Sequence, residues 1–123
     1  GWIYHRCLPL CIISPSSILL HRSILQQVGL FDVSFPVCED YEMWLRISSR
    51  HPILFLEEPL IVKVGGHADQ LSRSLWGRDR YRIQAMIKSY SSGELTPQQA
   101  HWTARQIAEK ARILASGFTN RKK

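Results

Sequence analysis

Two adjacent carboxylates, Glu39 and Asp40, open the run Cys38-Glu39-Asp40-Tyr41-Glu42-Met43-Trp44-Leu45-Arg46. One acid of such a pair can serve as a general base that takes a proton from a reacting hydroxyl. The residues behind them read as an amphipathic helix, because Tyr41, Trp44, Leu45 and Ser48 recur at i, i+3, i+4 and i+7. The acids therefore fall in the first helical turn, at the edge of the core. Carboxylates in that place also cap free backbone N–H groups and meet the positive end of the helix dipole. On spacing alone the structural reading comes first, since acidic first turns are ordinary.

The cysteines offer a second chemistry. Cys7, Cys11 and Cys38 are odd in number, which implies no disulfide framework and fits a reducing compartment. Cys7 and Cys11 stand near His5 and His21, but the spacing matches no common zinc pattern. Apolar neighbours surround both thiols, so they read as buried free cysteines.

The elements around these residues follow from local signals. Residues 1–15 are apolar and punctuated by Pro9 and Pro15, which predicts an extended segment or a short helical turn. Ser17–Leu20 reads as a short strand. Arg22–Val28 reads as a helix with Gly29 as its left-handed C′ residue. Phe31–Val37 is a loop, and the acidic-start helix runs over Asp40–Arg50 until Pro52 stops it. Ile53–Leu56 and Leu60–Val64 read as two strands separated by Glu57-Glu58-Pro59. Gly65-Gly66 then frees the backbone for a tight loop that carries His67.

From Ser74 to Ser91 the pattern is helical, marked by Trp76, Tyr81, Ile83, Ile87 and Tyr90, and Ser92-Gly93 ends it. Thr96 as N-cap, Pro97 at N1 and Gln99 at N3 spell a capping box for the next helix. Ala100, Ala104, Ile107, Ala111 and Leu114 predict its buried stripe, and Gly117 its end. The expected fold class is α+β and helix-rich. The expected organisation is a catalytic part over residues 1–72, a helical pair over 73–117 and a basic tail over 118–123.

The order of these pieces resembles the C-terminal half of the bacterial family 2 glycosyltransferases of GT-A type. The resemblance is carried by Ser16-Ser17, by the short helix that ends in Gly29-Leu30-Phe31-Asp32, and by the Glu39-Asp40-Tyr41-Glu42-Met43-Trp44-Leu45-Arg46 helix. The loop His67-Ala68-Asp69-Gln70-Leu71-Ser72 completes it. Leu30 in place of a second glycine and Met43 in place of leucine are mild departures. The resemblance implies an acceptor-side half of a GT-A domain in an inverting, metal-dependent enzyme. It would move a sugar from a nucleotide diphosphate sugar to an acceptor hydroxyl on a glycan or lipid. It implies Asp40 as the base, Glu39 as a group orienting acceptor or base, and Ser16, Ser17 and Trp44 at the acceptor. His67 would meet the divalent metal, manganese or magnesium, or the diphosphate.

What is absent from these residues matters as much. They contain no Asp-x-Asp motif, no glycine-rich phosphate loop and no strand–helix alternation long enough for a nucleotide-binding half. The expectation is therefore a C-terminal fragment that is inactive in isolation.

Composition sets the outer limits. The chain has 123 residues, 45% of them hydrophobic and 21% charged, so one globular core is expected. A net charge of +6 suits an anionic partner without choosing one. A basic binding module built on Arg78, Arg80 and Arg82 is the competing reading. Those arginines span both i+2 and i+4 and accompany no nucleic-acid signature, so no specific nucleic-acid partner is expected. No apolar run approaches the ~20 residues of a membrane-spanning helix, and no signal peptide is evident. The expected location is cytoplasmic, with a peripheral place at the inner membrane face left open. Trp2, Ile3, Leu8, Leu10, Ile12, Ile13 and Phe35 exceed what three small strands can bury, which predicts a homo-oligomer.

Overall fold

The computed structural model describes residues 1–62, 64 and 77–121, with side chains through Gly117. Among the described residues five α-helices follow in order: α1 (Tyr4–Cys7), α2 (Arg22–Val28), α3 (Glu39–Arg50), α4 (Arg78–Ser91) and α5 (Pro97–Arg121). A 3-10 turn, Pro15–Ser17, lies between α1 and α2.

α3 is the centre of the molecule. α1, α2 and α4 all pack on it, and α4 and α5 pack on each other. It is consequently buried nearly all round, from Tyr41 to Leu45 and again at Ile47 and Ser48. Two apolar clusters meet along it. One joins Tyr4, Cys7 and Leu8 of the N-terminal segment to Tyr41 and Leu45 of α3 and Ala85 and Met86 of α4. The other sets Met43, Trp44 and Ile47 against Ile24, Leu25 and Val28 of α2 and the chain at Ile18 and Leu20. At about 25 cal/mol per Å² of apolar surface, burial of this kind is the main driving force for placing the helices.

Local signals account for the helix ends. Gly29 follows α2 at φ 84° and donates its N–H to Leu25 O at 2.9 Å, a backbone conformation that favours glycine. The capping box of α5 forms as spelled: Gln99 N donates to Thr96 Oγ1 at 3.2 Å and Thr96 N donates to Gln99 Oε1 at 2.9 Å. Gln99 also donates through Nε2 to Ser49 O at 3.0 Å, which ties the start of α5 to the end of α3.

The α+β expectation is corrected: no strand forms among the described residues. Over the expected strand Ser17–Leu20, Pro15 starts the 3-10 turn and the chain beyond it runs extended without a partner. Ile53–Leu56 and the described part of Leu60–Val64 have no ladder either. Ile53 alone pairs, giving its N–H to Gly1 O at 2.9 Å and accepting from the Gly1 ammonium at 2.5 Å. Strand propensity needs a neighbouring strand to become structure, and none is supplied among the described residues.

Helix faces are corrected in part: Ile83 and Ile107 pack against the core as expected. α4 buries Ala85, Met86 and Ser89, while Ile87 and Tyr90 face solvent. α5 buries Thr103 and Lys110, while Ala104 and Ala111 are exposed. It also runs past Gly117 to Arg121. The physical cause is a polar contact between helices. Tyr4 Oη lies 2.7 Å from Thr103 Oγ1 and 3.3 Å from Ser89 Oγ, joining α1, α5 and α4 through one phenol. Of the large apolar residues near the N-terminus, Leu8 is buried and Ile3, Ile13 and Phe35 are half-buried; Trp2, Leu10 and Ile12 remain exposed.

Candidate functional site

The first turn of α3 carries three acids, Glu39, Asp40 and Glu42, and the structure treats them differently. Glu42 is the most buried of them, at 2% exposure. Its carboxylate receives Arg46 Nε and Nη2, each at 2.8 Å, in a two-pronged pair one helical turn apart. Lys88 Nζ of α4 meets the same Oε1 that receives Arg46 Nε, at 2.8 Å. Arg46 then donates to the carbonyls of Val28 and Leu30, which pins the end of α2. Lys88 reaches Asp32 Oδ2 at 2.6 Å, so the Gly29-Leu30-Phe31-Asp32 loop is held on the same network. Lys88, with the Ser34 hydroxyl and N–H, drives the Asp32 carboxyl well below the usual range. Burial works against the Lys88 charge, but Asp32 and Glu42 outweigh it and hold the ammonium on.

Glu39 and Asp40 have no such cation. Both are half-buried, and neither forms a salt bridge among the described residues. Asp40 Oδ1 accepts the Tyr41 N–H at 2.7 Å, so it satisfies one free donor of the first turn. Its Oδ2 accepts a weak bond from the Cys11 thiol at 3.5 Å. Burial, then the Asp40 charge, pushes that thiol up to about 12. Cys38 immediately precedes the pair and sits at φ 64°, ψ 21°, the left-handed region that non-glycine residues avoid. Burial raises its thiol as well, against the pull of Arg82.

Arg82 sits on this side of the molecule, with its guanidinium carbon 5.9 Å from the centre of the Tyr41 ring and Nη1 3.1 Å from Asp79. It is turned inward, whereas Arg80 lies over the neighbouring Tyr81 ring at 5.0 Å. The arginines of α4 thus diverge and present no common basic stripe. Burial of Asp79 is outweighed by Lys110 and Arg82, which lower its carboxyl.

The other expected site residues divide. Ser17 spends its hydroxyl on Ser14 O at 2.9 Å, and Ser16 Oγ meets Ser14 Oγ at 3.1 Å, so both serve their own turn. Trp44 is buried against the α2 cluster, edge-on to Phe31 with ring centres 6.5 Å apart. Its ring nitrogen is buried without a partner. His67, with Asp69, Gln70 and Ser72, lies outside the described residues. His5 packs at a tilt on Trp102, ring centres 5.2 Å apart, and His21 caps α2 through Ser23, so neither joins Cys7 or Cys11. The three cysteines are free.

Among the described residues no group of three or more His, Cys, Asp or Glu side chains is placed to hold a metal ion. They therefore do not by themselves form the divalent site that the resemblance implies. None of the described helices is long and apolar enough to cross a membrane.

Two connections escaped the reading of the sequence. The Glu42–Arg46 pair had a visible signal, acid and base four residues apart on a helix. The Cys11–Asp40 contact, across 29 positions, had none.

Comparison with known proteins relates the chain to glycosyltransferases. Over 64 residues it is 31% identical to an uncharacterized glycosyltransferase of Rickettsia conorii and 30% identical to one of Rickettsia felis. The match covers 52% of this chain and 10% of each relative. No family model and no solved structure matches.

Proposed function

We propose that this chain is the acceptor-side, C-terminal portion of an inverting family 2, GT-A-type glycosyltransferase, with Asp40 as its base. The observation that carries the reading is the contrast within one helical turn. Glu42 is locked between Arg46 and Lys88, while Glu39 and Asp40 keep carboxylates free of any cation among the described residues. A carboxylate already paired with a cation is a poor proton acceptor, and an unpaired one at a protein's edge is a better one.

In this reading Asp40 takes the proton of the acceptor hydroxyl as its oxygen bonds to the anomeric carbon. The bond from that carbon to the diphosphate oxygen breaks on the opposite face, and its electron pair leaves with the diphosphate. Glu39 orients the acceptor or the base. The donor is a nucleotide diphosphate hexose, and the acceptor a glycan or lipid hydroxyl at the cytoplasmic face of the inner membrane. The nucleotide-reading part and the manganese or magnesium belong to the full-length enzyme, so the isolated chain is inactive.

The test uses the chain itself. Titration with simple glycosides, followed by amide NMR, should move the signals of Glu39, Asp40 and Tyr41, and Asp40→Asn should abolish the shifts while leaving the helical spectrum unchanged. Calorimetry with UDP- and dTDP-sugars and manganese should give no heat of binding. Micromolar affinity for a nucleotide sugar would refute the fragment reading. Glycoside shifts confined to another face would remove Asp40 from the site.

A further inference from the structure

The carboxylate of Asp40 is held at both of its oxygens, and the second hold comes from far away in the chain. Oδ1 accepts the Tyr41 N–H at 2.7 Å, a bond made within the helical turn itself. Oδ2 accepts the Cys11 thiol at 3.5 Å, and the same sulfur lies 3.5 Å from Ile13 O. One S–H thus faces two acceptors at equal distance. The segment that carries it is anchored: Cys11 and Ile13 both pack against the two apolar clusters of the core, while their neighbours Leu10 and Ile12 face solvent.

We propose that Cys11 is a positioning residue for Asp40: its thiol fixes the oxygen that takes the acceptor's proton, and turns to Ile13 O once that proton has arrived. The proposal rests on the reading of Asp40 as base. Tied at Oδ1 alone, the carboxyl group could swing about its terminal bond, a torsion with broad wells. The thiol removes that freedom and leaves one lone pair of Oδ2 for the acceptor hydroxyl. The choice of donor matters. A guanidinium or ammonium on this oxygen would blunt the carboxylate as a proton acceptor, which is the state of Glu42 under Arg46 and Lys88. A thiol is a weak donor, so it orients the group with little loss of its affinity for protons. Burial, and after it the Asp40 charge, keep the thiol protonated up to about 12, so the donor stays in place. Proton transfer turns Oδ2 into a hydroxyl and a poor acceptor. The S–H then has Ile13 O within reach, so no buried donor is stranded and the thiol does not oppose the transfer. Only the acceptor's proton changes owner; no bond to sulfur forms or breaks.

Raman spectroscopy of the S–H stretch reads the thiol directly, with the Cys11 band assigned by its loss in Cys11→Val. Asp40→Asn, which stands for the protonated carboxyl, should move that band to higher frequency. Titration of the chain with methyl glucoside, methyl galactoside and methyl mannoside, followed through the amide signals of Glu39, Asp40 and Tyr41, then reads the role. Cys11→Val and Cys11→Ala should each weaken binding roughly threefold, the scale of freezing one side chain. Cys11→Ser, which keeps a donor, should restore it. Valine nearly conserves the volume of the side chain and alanine does not, so losses of binding that followed the urea midpoints would mark a packing effect and overturn the proposal. A band indifferent to Asp40→Asn would overturn it by removing the contact. Glycoside binding that Cys11→Val leaves unchanged would overturn it while the reading of Asp40 stands. A band that answers to Asp40 in a chain that binds no glycoside would overturn the reading of Asp40 as base, and the role of Cys11 with it.

Discussion

Glu42→Gln is the substitution that most directly probes how the molecule is held together. The change keeps the shape of the side chain and removes its charge. Arg46, only 18% exposed, then loses the partner of two 2.8 Å contacts, and Lys88 loses one of its two carboxylates. Breaking a buried pair from one side costs about 3–5 kcal/mol, because a desolvated charge is left behind. Lys88 is 44% exposed and keeps Asp32, so the lower end of the range, about 3 kcal/mol, is expected here. A chain of this size unfolds with an entropy of ~0.25 kcal/mol/K, which converts that loss to about 12 °C in Tm. Urea unfolding followed by circular dichroism measures the loss directly. Replacing both ends together, Glu42→Leu with Arg46→Met, should recover the part due to the orphaned charge but not the part due to the Arg46 bonds to the Val28 and Leu30 carbonyls. A loss under about 1 kcal/mol for Glu42→Gln would mean that water reaches the pair and that the network is not what locks α2, α3 and α4 together.

Thr96→Ala removes one half of the capping box of α5 and should cost about 1 kcal/mol in urea unfolding, with Thr96→Ser close to the parent. Stability should fall in acid: Asp32 and Asp79 are held below their ordinary 3.8, so their contribution is present above that pH and is lost as pH drops through their lower folded values. It should also fall in base, because Cys11 ionises near 9.0 when unfolded but only at about 12 when folded; its contribution is present below 9.0 and fades as pH rises toward 12. Iodoacetamide at pH 8 should therefore modify Cys11 far more slowly in the native chain than in urea, and equal rates would show the thiol to be open to solvent.

Where a boundary is written within a few residues, the sequence was legible. Gly29 marks the end of α2, and Thr96, Pro97 and Gln99 mark the start of α5, because caps are satisfied by neighbours in the chain. The strands were not legible, because Ile53–Leu56 has strand composition whether or not a second strand exists to bond it. The faces of α4 and α5 were misread for a related reason. Apolar spacing found Ile83 and Ile107, which pack on the core, but also pointed to Ile87 and Ala104, while Ser89, Thr103 and Lys110 are buried through Tyr4 and Asp79 far away in the chain. The candidate site was half legible. Its acids could be located from spacing, but which of the three is neutralised depends on Lys88, 46 positions beyond Glu42, and no local pattern reveals that.

The phenol of Tyr4 has a consequence for the order in which the molecule is made. Its partner Thr103 lies 99 residues further along the chain. A ribosome adding ~5–20 residues per second needs roughly 5–20 s to get from one to the other. Once α3 has been made α1 has a helix to lean on, but its phenol meets Ser89 only 85 residues and Thr103 only 99 residues after Tyr4, and the final closure waits for α5 to clear the exit tunnel. Folding during synthesis thus proceeds toward a latch whose two halves are made 99 residues apart, and a chaperone that binds Tyr4, Cys7 and Leu8 has that time in which to act.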